Sequence, residues 1–222
     1  MLSVVVPSHA EGATLLACVA ALSRTAADEI VVAAHGEADV SKRQLRDCRR
    51  LRWVECDRAS RGAQLNRGAA AAGGDCLLFL HADSRLPEGA VAGVKAALST
   101  PEIAGGAFRL LFDARHPALR VLEALSALPW RACYLGDQGL FCRREDFEAV
   151  GGFDERALFE DVDFALKLAR RGRLVRLPLA VTTSARRFHR HGPWRQLATN
   201  ARLLALYHMG ASPGRLARHY SQ

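Results

Sequence analysis

No apolar run in this chain of 222 residues approaches the length of a membrane span. The amino terminus, Met1-Leu2-Ser3-Val4-Val5-Val6-Pro7, lacks the basic stretch that opens a secretory signal, so it reads as a first strand. Six cysteines (Cys18, Cys48, Cys56, Cys76, Cys133 and Cys142) form no C-x-x-C pair, which argues against a structural zinc. Several lie in apolar patterns where a thiol packs as a small hydrophobe, and the expected location is a reducing cytoplasm. Linkers, low-complexity runs and internal repeats are also missing, so one domain is expected. Lysine is scarce: only Lys42, Lys95 and Lys167 appear among 31 basic residues. Aromatic residues make up 7% of the chain, and Trp53, Trp130 and Trp194 form no base-stacking group beside the arginines. That weighs against a nucleic-acid partner.

What is present is a large apolar complement and an arginine-rich charge. Half of the residues are hydrophobic, enough for a substantial core. A net charge of +8 carried mostly by arginine suits anionic partners, because the guanidinium grips phosphate in a bidentate way. Three classes fit: a non-catalytic basic module on nucleic acid, a module on an anionic membrane, or an enzyme handling phosphorylated small molecules.

Residues 3–7 form a β-branched strand, followed by a helical repeat of Leu15, Leu16, Val19 and Leu22. Residues 29–34 and 53–56 read as further strands, with a helix between them capped by Ser41 and carrying Leu45, Cys48 and Leu51 on one face. A small-residue helix over 63–72 ends at Gly73-Gly74 and leads into the run Cys76-Leu77-Leu78-Phe79-Leu80. Strands without polar alternation, alternating with helices, predict a parallel, doubly wound α/β half over 1–84. Over 85–192 the pattern predicts helices at 87–98 and 117–128, a strand at 105–112, a short extended segment at 139–143, a brief helix at 145–150 and a helix from 159 to 171. The helix at 117–128 is expected to bury Leu119, Leu122, Leu125 and Ser126. A helical tail over 193–222 carries Leu197, Ala201, Leu204 and Leu206 to Gly210, and Ser212-Pro213 starts another helix. Its arginines lie opposite the apolar stripe, so it packs on the domain or a second subunit, or rests on a membrane surface.

Ligands of parallel sheets bind beyond the carboxyl ends of the strands, which places His81-Ala82-Asp83 in a site. The alternative for Asp83 is a cap on the next helix. Arg61, Gln64 and Asn66 face one rim if the helix starts near Ala63, where its N-terminus would assist phosphate. Asp137 and Gln138, flanked by glycines, are polar groups of a binding loop or of a plain surface turn. The acids of Glu160-Asp161-Val162-Asp163 are either a catalytic pair or the ordinary acidic start of a helix. Arg186, Arg187, His189 and His191 form the densest cationic segment and by themselves read as a solvated basic turn, and His189-x-His191 on a strand lacks the acidic partner a metal pair needs.

Val4-Val5-Val6-Pro7 with Glu11, Arg61-Gly62-Ala63-Gln64-Leu65-Asn66-Arg67-Gly68, His81-Ala82-Asp83, Gly136-Asp137-Gln138-Gly139, Gly151-Gly152-Phe153-Asp154 and Glu160-Asp161-Val162-Asp163 together resemble family 2 glycosyltransferases of the GT-A fold. Within that family the chain resembles the arsenosugar-type or selenium-associated transferases, including selenosugar synthases. The resemblance extends over Ser184-Ala185-Arg186-Arg187-Phe188 and the segment beginning Ser212-Pro213-Gly214. It implies a Rossmann-like, mostly parallel sheet with helices on both faces, and inverting transfer from a UDP-sugar such as UDP-GlcNAc. The implied acceptor is small and anionic, selenophosphate on the path to selenoneine, with arsenic-containing, hydroxyl and polyprenyl-phosphate acceptors as alternatives. Pro7, Ser8, His9 and Glu11 line the nucleoside pocket, with helix-dipole complementation the alternative for Glu11. Arg61 meets the pyrophosphate, Asp137 and Gln138 meet sugar hydroxyls, and Arg186 and Arg187 close over the donor phosphates or an anionic acceptor. Asp83 holds Mg²⁺ or Mn²⁺, with His81 a second candidate ligand whose imidazole would favour Mn²⁺, and Asp161 is the general base with Glu160 orienting. Two positions depart from the family pattern. His81 stands where the metal motif has an aspartate, and Ala34 stands where an aspartate meets uracil, so that either His35, Glu37 or Asp39 compensates or base selectivity is relaxed.

Overall fold

The computed structural model describes residues 1–37, 39–128, 134–155, 158–212, 214 and 216, with backbone only at 39 and 40. Trp130, Cys133, Pro213 and the end of the expected last helix lie outside the described residues, as does the side chain of Asp39. The first half follows the expected alternation: β1 (Leu2–His9), α1 (Ala13–Leu22), β2 (Glu29–His35), α2 (Asp39–Leu45), β3 (Leu51–Glu55), α3 (Arg61–Ala71) and β4 (Cys76–Phe79). β1 pairs in parallel with β2 and β4, and β2 with β3. Burial of all but the last residue of β1 explains its unbroken apolar sequence, because helices cover both faces. Val4, Val6, Ile30 and Val32 face α1 and α2, whereas Val5, Val31 and Leu77 face α3. Ser41 lies inside α2 instead of capping it, and Leu51 opens β3 instead of extending the helix.

The second half continues the same sheet with β5 (Ser84–Arg85), α4 (Ala90–Leu98), β6 (Ile103–Phe112), α5 (Pro117–Ser126), β7 (Leu140–Arg143), α6 (Arg144–Ala149), α7 (Glu160–Arg171), β8 (Arg173–Thr183), α8 (Arg186–His191) and α9 (Pro193–His208). The strand order is β3-β2-β1-β4-β7-β6-β8-β5. β7 enters antiparallel between β4 and β6, pairing Phe79 with Leu140, so the segment before β7 lies beside the carboxyl end of β4. β8 runs parallel to β6 and antiparallel to β5, with Ser84 opposite Thr183. These two pairings place three chain segments around His81 and Asp83.

Several expectations are corrected. β8 does not stand out in the sequence because Pro178 interrupts it; the ladder with β6 shifts register between Ala107 and Arg109, opposite that stretch, and a bulge tolerates the missing N–H. His189 and His191 lie on a helix, α8, not a strand. α4 starts at Ala90 behind Gly89 at φ 76°, so Asp83 does not cap it. Leu125 is exposed on α5, and α9 buries Gln196 and Leu203 while Ala201 is exposed.

The middle of the sheet is closely packed. A Cβ on Gly106 would lie 2.3 Å from the Val175 carbonyl oxygen and 2.7 Å from Phe141 Cζ. Gly106→Ala is therefore expected to destabilise the fold by about 2 kcal/mol, a fall of roughly 5 °C in melting temperature. A melt matching the wild type would contradict this close approach.

Candidate active site

The site forms where β1, β4 and β8 end. Beyond β1, the Ser8 hydroxyl donates to Glu37 Oε1 at 2.6 Å, and the same carboxylate accepts the Glu11 and Gly12 N–H groups at 2.7 and 3.2 Å. Glu37 therefore braces the first loop and does not reach toward a base in place of Ala34. Pro7 and Ser8 are buried, whereas His9 is exposed. The His9 and His35 rings stack at 5.3 Å, and His35 Nδ1 is hydrogen-bonded to the Cys56 carbonyl at 2.7 Å. Glu11 faces Arg186 at 3.7 Å.

α3 begins at Arg61 with Ser60 as its cap. The expectation that Arg61, Gln64 and Asn66 share one rim is corrected by where their polar atoms go. The Gln64 amide donates to the carbonyls of Ser8 and Ala33 at 2.6 and 3.0 Å, tying β1 to β2 from a buried position. Asn66 clasps Phe153, donating to its carbonyl at 2.8 Å and accepting its N–H at 2.9 Å. An amide satisfies a donor and an acceptor together, which suits both tasks. Arg61 alone of the three turns to the site and donates to Glu160 Oε1 at 3.3 Å.

Asp161 reaches the same place because α7 is fixed on three sides. Phe153 stacks on Phe164 at 4.1 Å and meets Phe79 edge-on at 4.8 Å. Gly62 admits the Asp154 carbonyl so closely that a Cβ there would lie 2.4 Å from its oxygen. The Tyr207 hydroxyl, from α9, donates to Asp163. Asp161 Oδ2 then accepts the Gly136 N–H at 2.5 Å, and Oδ1 accepts the Val162 N–H at 2.8 Å. Glu160 is 3% exposed; burial and the neighbouring Asp161 charge raise its pKa, against the pull of Arg61.

The 3-10 turn Gly136–Gln138 closes the centre. A Cβ on Gly136 would stand 3.0 Å from His81 Nε2 and 3.2 Å from Asp161 Oδ2, so glycine lets each of these side chains approach the backbone closely. Gln138 is buried, and its Oε1 accepts the Leu135 N–H at 3.4 Å and a guanidinium N–H of Arg176. Arg176 also lies over the Tyr134 ring at 4.1 Å. Gln138 thus holds the turn, and its partner Arg176 escaped notice in the sequence because β8 did. Asp137 differs from its neighbour: its Oδ1 is buried with no hydrogen-bond partner. Burial, then the charges of Asp161 and Asp83, push the Asp137 carboxyl up to about 7 against Arg61.

His81 is held neutral, its pKa pushed down to about 3 by burial and then by Arg61 and Arg187. Asp83 is half-buried, with the Thr183 hydroxyl 3.4 Å from Oδ1. Arg187 completes the ring: burial and Arg61 lower its pKa, while Asp83 and Asp137 oppose that shift. On the α1 side, a cavity of about 440 Å³ opens beside Asp83, lined by Thr14, Cys18, Thr183 and Arg186. The Cys18 thiol is pushed up to about 12 by burial, so it packs and does not react.

Asp83 offers the hard oxygen that Mg²⁺ or Mn²⁺ prefers, and the orphaned Asp137 oxygen shows that negative charge is undercompensated there. Among the described residues no three histidine, cysteine or acidic side chains make a complete cage. A cation completed by substrate phosphates needs none, so the residues present fit such an ion. Also among the described residues, no helix is long and apolar enough to cross a membrane.

Solved structures share this architecture. A mannosyltransferase from Pyrobaculum calidifontis, in complex with GDP-Man and Mn²⁺, superposes with a TM-score of 0.73 at 19% identity, over 97% of this chain and 66% of that one. TarS from S. aureus with UDP-GlcNAc gives 0.65 at 15%, over 82% and 58%. GalNAc-T7 with UDP, GalNAc and Mn²⁺ gives 0.64 at 17%, over 83% and 44%. At these identities the likeness is one of fold, and this chain spans less than two thirds of each structure. No curated protein sequence matches the chain significantly. The family model described as Glycosyl transferase family 2 matches residues 3–144. That stretch runs from β1 through β7 and takes in Arg61, the His81-x-Asp83 turn and the Gly136–Gln138 turn, so this chain belongs to glycosyl transferase family 2.

Proposed function

We propose that the protein transfers a sugar from a nucleoside-diphosphate sugar to a small acceptor with inversion, in a single displacement. The observation that carries this reading is the convergence of Asp83, Arg61 and Arg187 with the acidic pair Glu160-Asp161 at the carboxyl end of β4. Breaking the anomeric C–O bond places charge on the departing diphosphate, and preorganised cations stabilise it. In this reading Arg61 and Arg187 supply that charge. A divalent ion held by Asp83 would act as a Lewis acid on the phosphate oxygens. Two of the similar structures contain Mn²⁺, one together with GDP-Man and the other with UDP and GalNAc, which supports that assignment.

The donor in this reading is a UDP-sugar, UDP-GlcNAc being the first to try, since TarS binds that molecule. His9 stacks on the base, and Glu11 lies within the nucleoside loop. The acceptor is selenophosphate, giving a selenosugar; the arginine pair Arg186-Arg187 supports an anionic acceptor, which needs no deprotonation. A hydroxyl acceptor is the second reading, favoured by Asp161, whose carboxylate is fixed by two backbone N–H groups and in this reading abstracts the proton. Mass spectrometry of reactions with UDP- and GDP-sugars, with and without selenophosphate, Mg²⁺ and Mn²⁺, tests both. A sugar–selenium product is the expected result; absence of transfer and of donor hydrolysis under every condition would sink the enzymatic reading.

A further inference from the structure

We propose that Asp137 is a second protein ligand of the divalent cation, completing with Asp83 a pair of carboxylates contributed by β4 and by the turn before β7. This rests on the reading of Asp83 as a metal ligand. Its independent support is the treatment of Asp137 by its own neighbours. The turn is anchored on both sides: the Gly136 N–H is bound to Asp161, and the Gln138 amide oxygen accepts Leu135 and Arg176. Gly139 at φ 65° closes it against Phe108, where a Cβ would meet the ring at 3.1 Å. The carboxylate at the centre of this rigid turn nevertheless has an oxygen buried without a donor. A carboxylate oxygen buried without a donor, near the charges of two other carboxylates, is destabilising unless a cation offsets it. Arg61, the cation that offsets Asp137, is also bonded to Glu160. A divalent ion between Asp83 and Asp137 removes the imbalance. His81 Nε2 stands over Gly136, where a Cβ would come within 3.0 Å of it.

Mn²⁺ titration followed by electron paramagnetic resonance, in the presence of UDP, tests the assignment on wild type, Asp137→Asn and Asp83→Asn. Asp137→Asn is expected to weaken Mn²⁺ binding by about tenfold or more, as Asp83→Asn does. Without metal, Asp137→Asn should melt above the wild type because an uncompensated charge is gone, and Mn²⁺ should no longer raise its melting temperature. A merely structural Asp137 predicts the opposite change. Asp137→Cys provides a second readout, with preference moving from Mn²⁺ toward thiophilic Cd²⁺. If Asp83→Asn loses Mn²⁺ while Asp137→Asn and Asp137→Cys bind it as the wild type does, Asp137 is not a ligand and the Asp83 reading stands. Weaker donor binding by such an Mn²⁺-competent Asp137→Asn protein would make it a sugar-hydroxyl contact instead. A wild-type chain that takes up no Mn²⁺ overturns both assignments.

Discussion

Replacing Asp161 by asparagine is expected to lower kcat with a hydroxyl acceptor by about 10³-fold, within the range that a lost general base produces. Asparagine preserves size and can still accept one of the two backbone N–H groups that Asp161 binds, from Gly136 and Val162. Its amide nitrogen must then face the other donor, so the side chain turns or the Gly136 contact opens. Either way the proton acceptor is lost while the aromatic packing that seats α7 remains. The effect should fall mainly on kcat, because the interaction is made in the transition state. With selenophosphate the same variant should lose far less, since that nucleophile arrives already ionised. Steady-state kinetics with both acceptors checks the claim, and an unchanged kcat toward the hydroxyl would remove Asp161 as the base.

The second large effect is expected at Asp83. Asp83→Ala should reduce transfer by about 10³-fold through lost stabilisation of the departing diphosphate, and activity should cease to respond to added Mg²⁺ or Mn²⁺. Its structural consequences should be slight. Asp83 is half-buried, the hydrogen bond it accepts from Thr183 is long at 3.4 Å, and Ser84 keeps its own 2.9 Å bond to that hydroxyl. Thermal stability is therefore predicted to change by only about 0.5 kcal/mol. A folded Asp83→Ala protein transferring at the wild-type rate would refute the metal assignment.

Much of this was legible in the amino-acid sequence. The runs forming β1, β2 and β4 are apolar because helices cover both faces, and that burial is written locally in side-chain type. The termination of β4 at His81-Ala82-Asp83 likewise marks a carboxylate at a strand end. An acidic pair starts α7, and glycines frame the turn at 136–139, so these too could be found from neighbours in the chain.

The tertiary structure decided what depends on partners far away in the chain. β5 is only two residues long and exists through its pairing with β8, while β8 carries a proline that only a register shift can accommodate. Whether an amide looks outward or ties backbone together has no local signature: Gln64, Asn66 and Gln138 became framework because carbonyl and N–H groups of other strands and turns needed partners. The insertion of β7 antiparallel beside β4 brought Gly136 to His81, and Asp137 to a place where it feels the charges of Asp83 and Asp161. Residue types and local period thus determined the strands, the helices and the chemistry each loop offers. Strand pairing across the sheet decided which of those loops meet, because hydrogen bonds between distant strands and the burial of charge among them are satisfied only in the assembled fold.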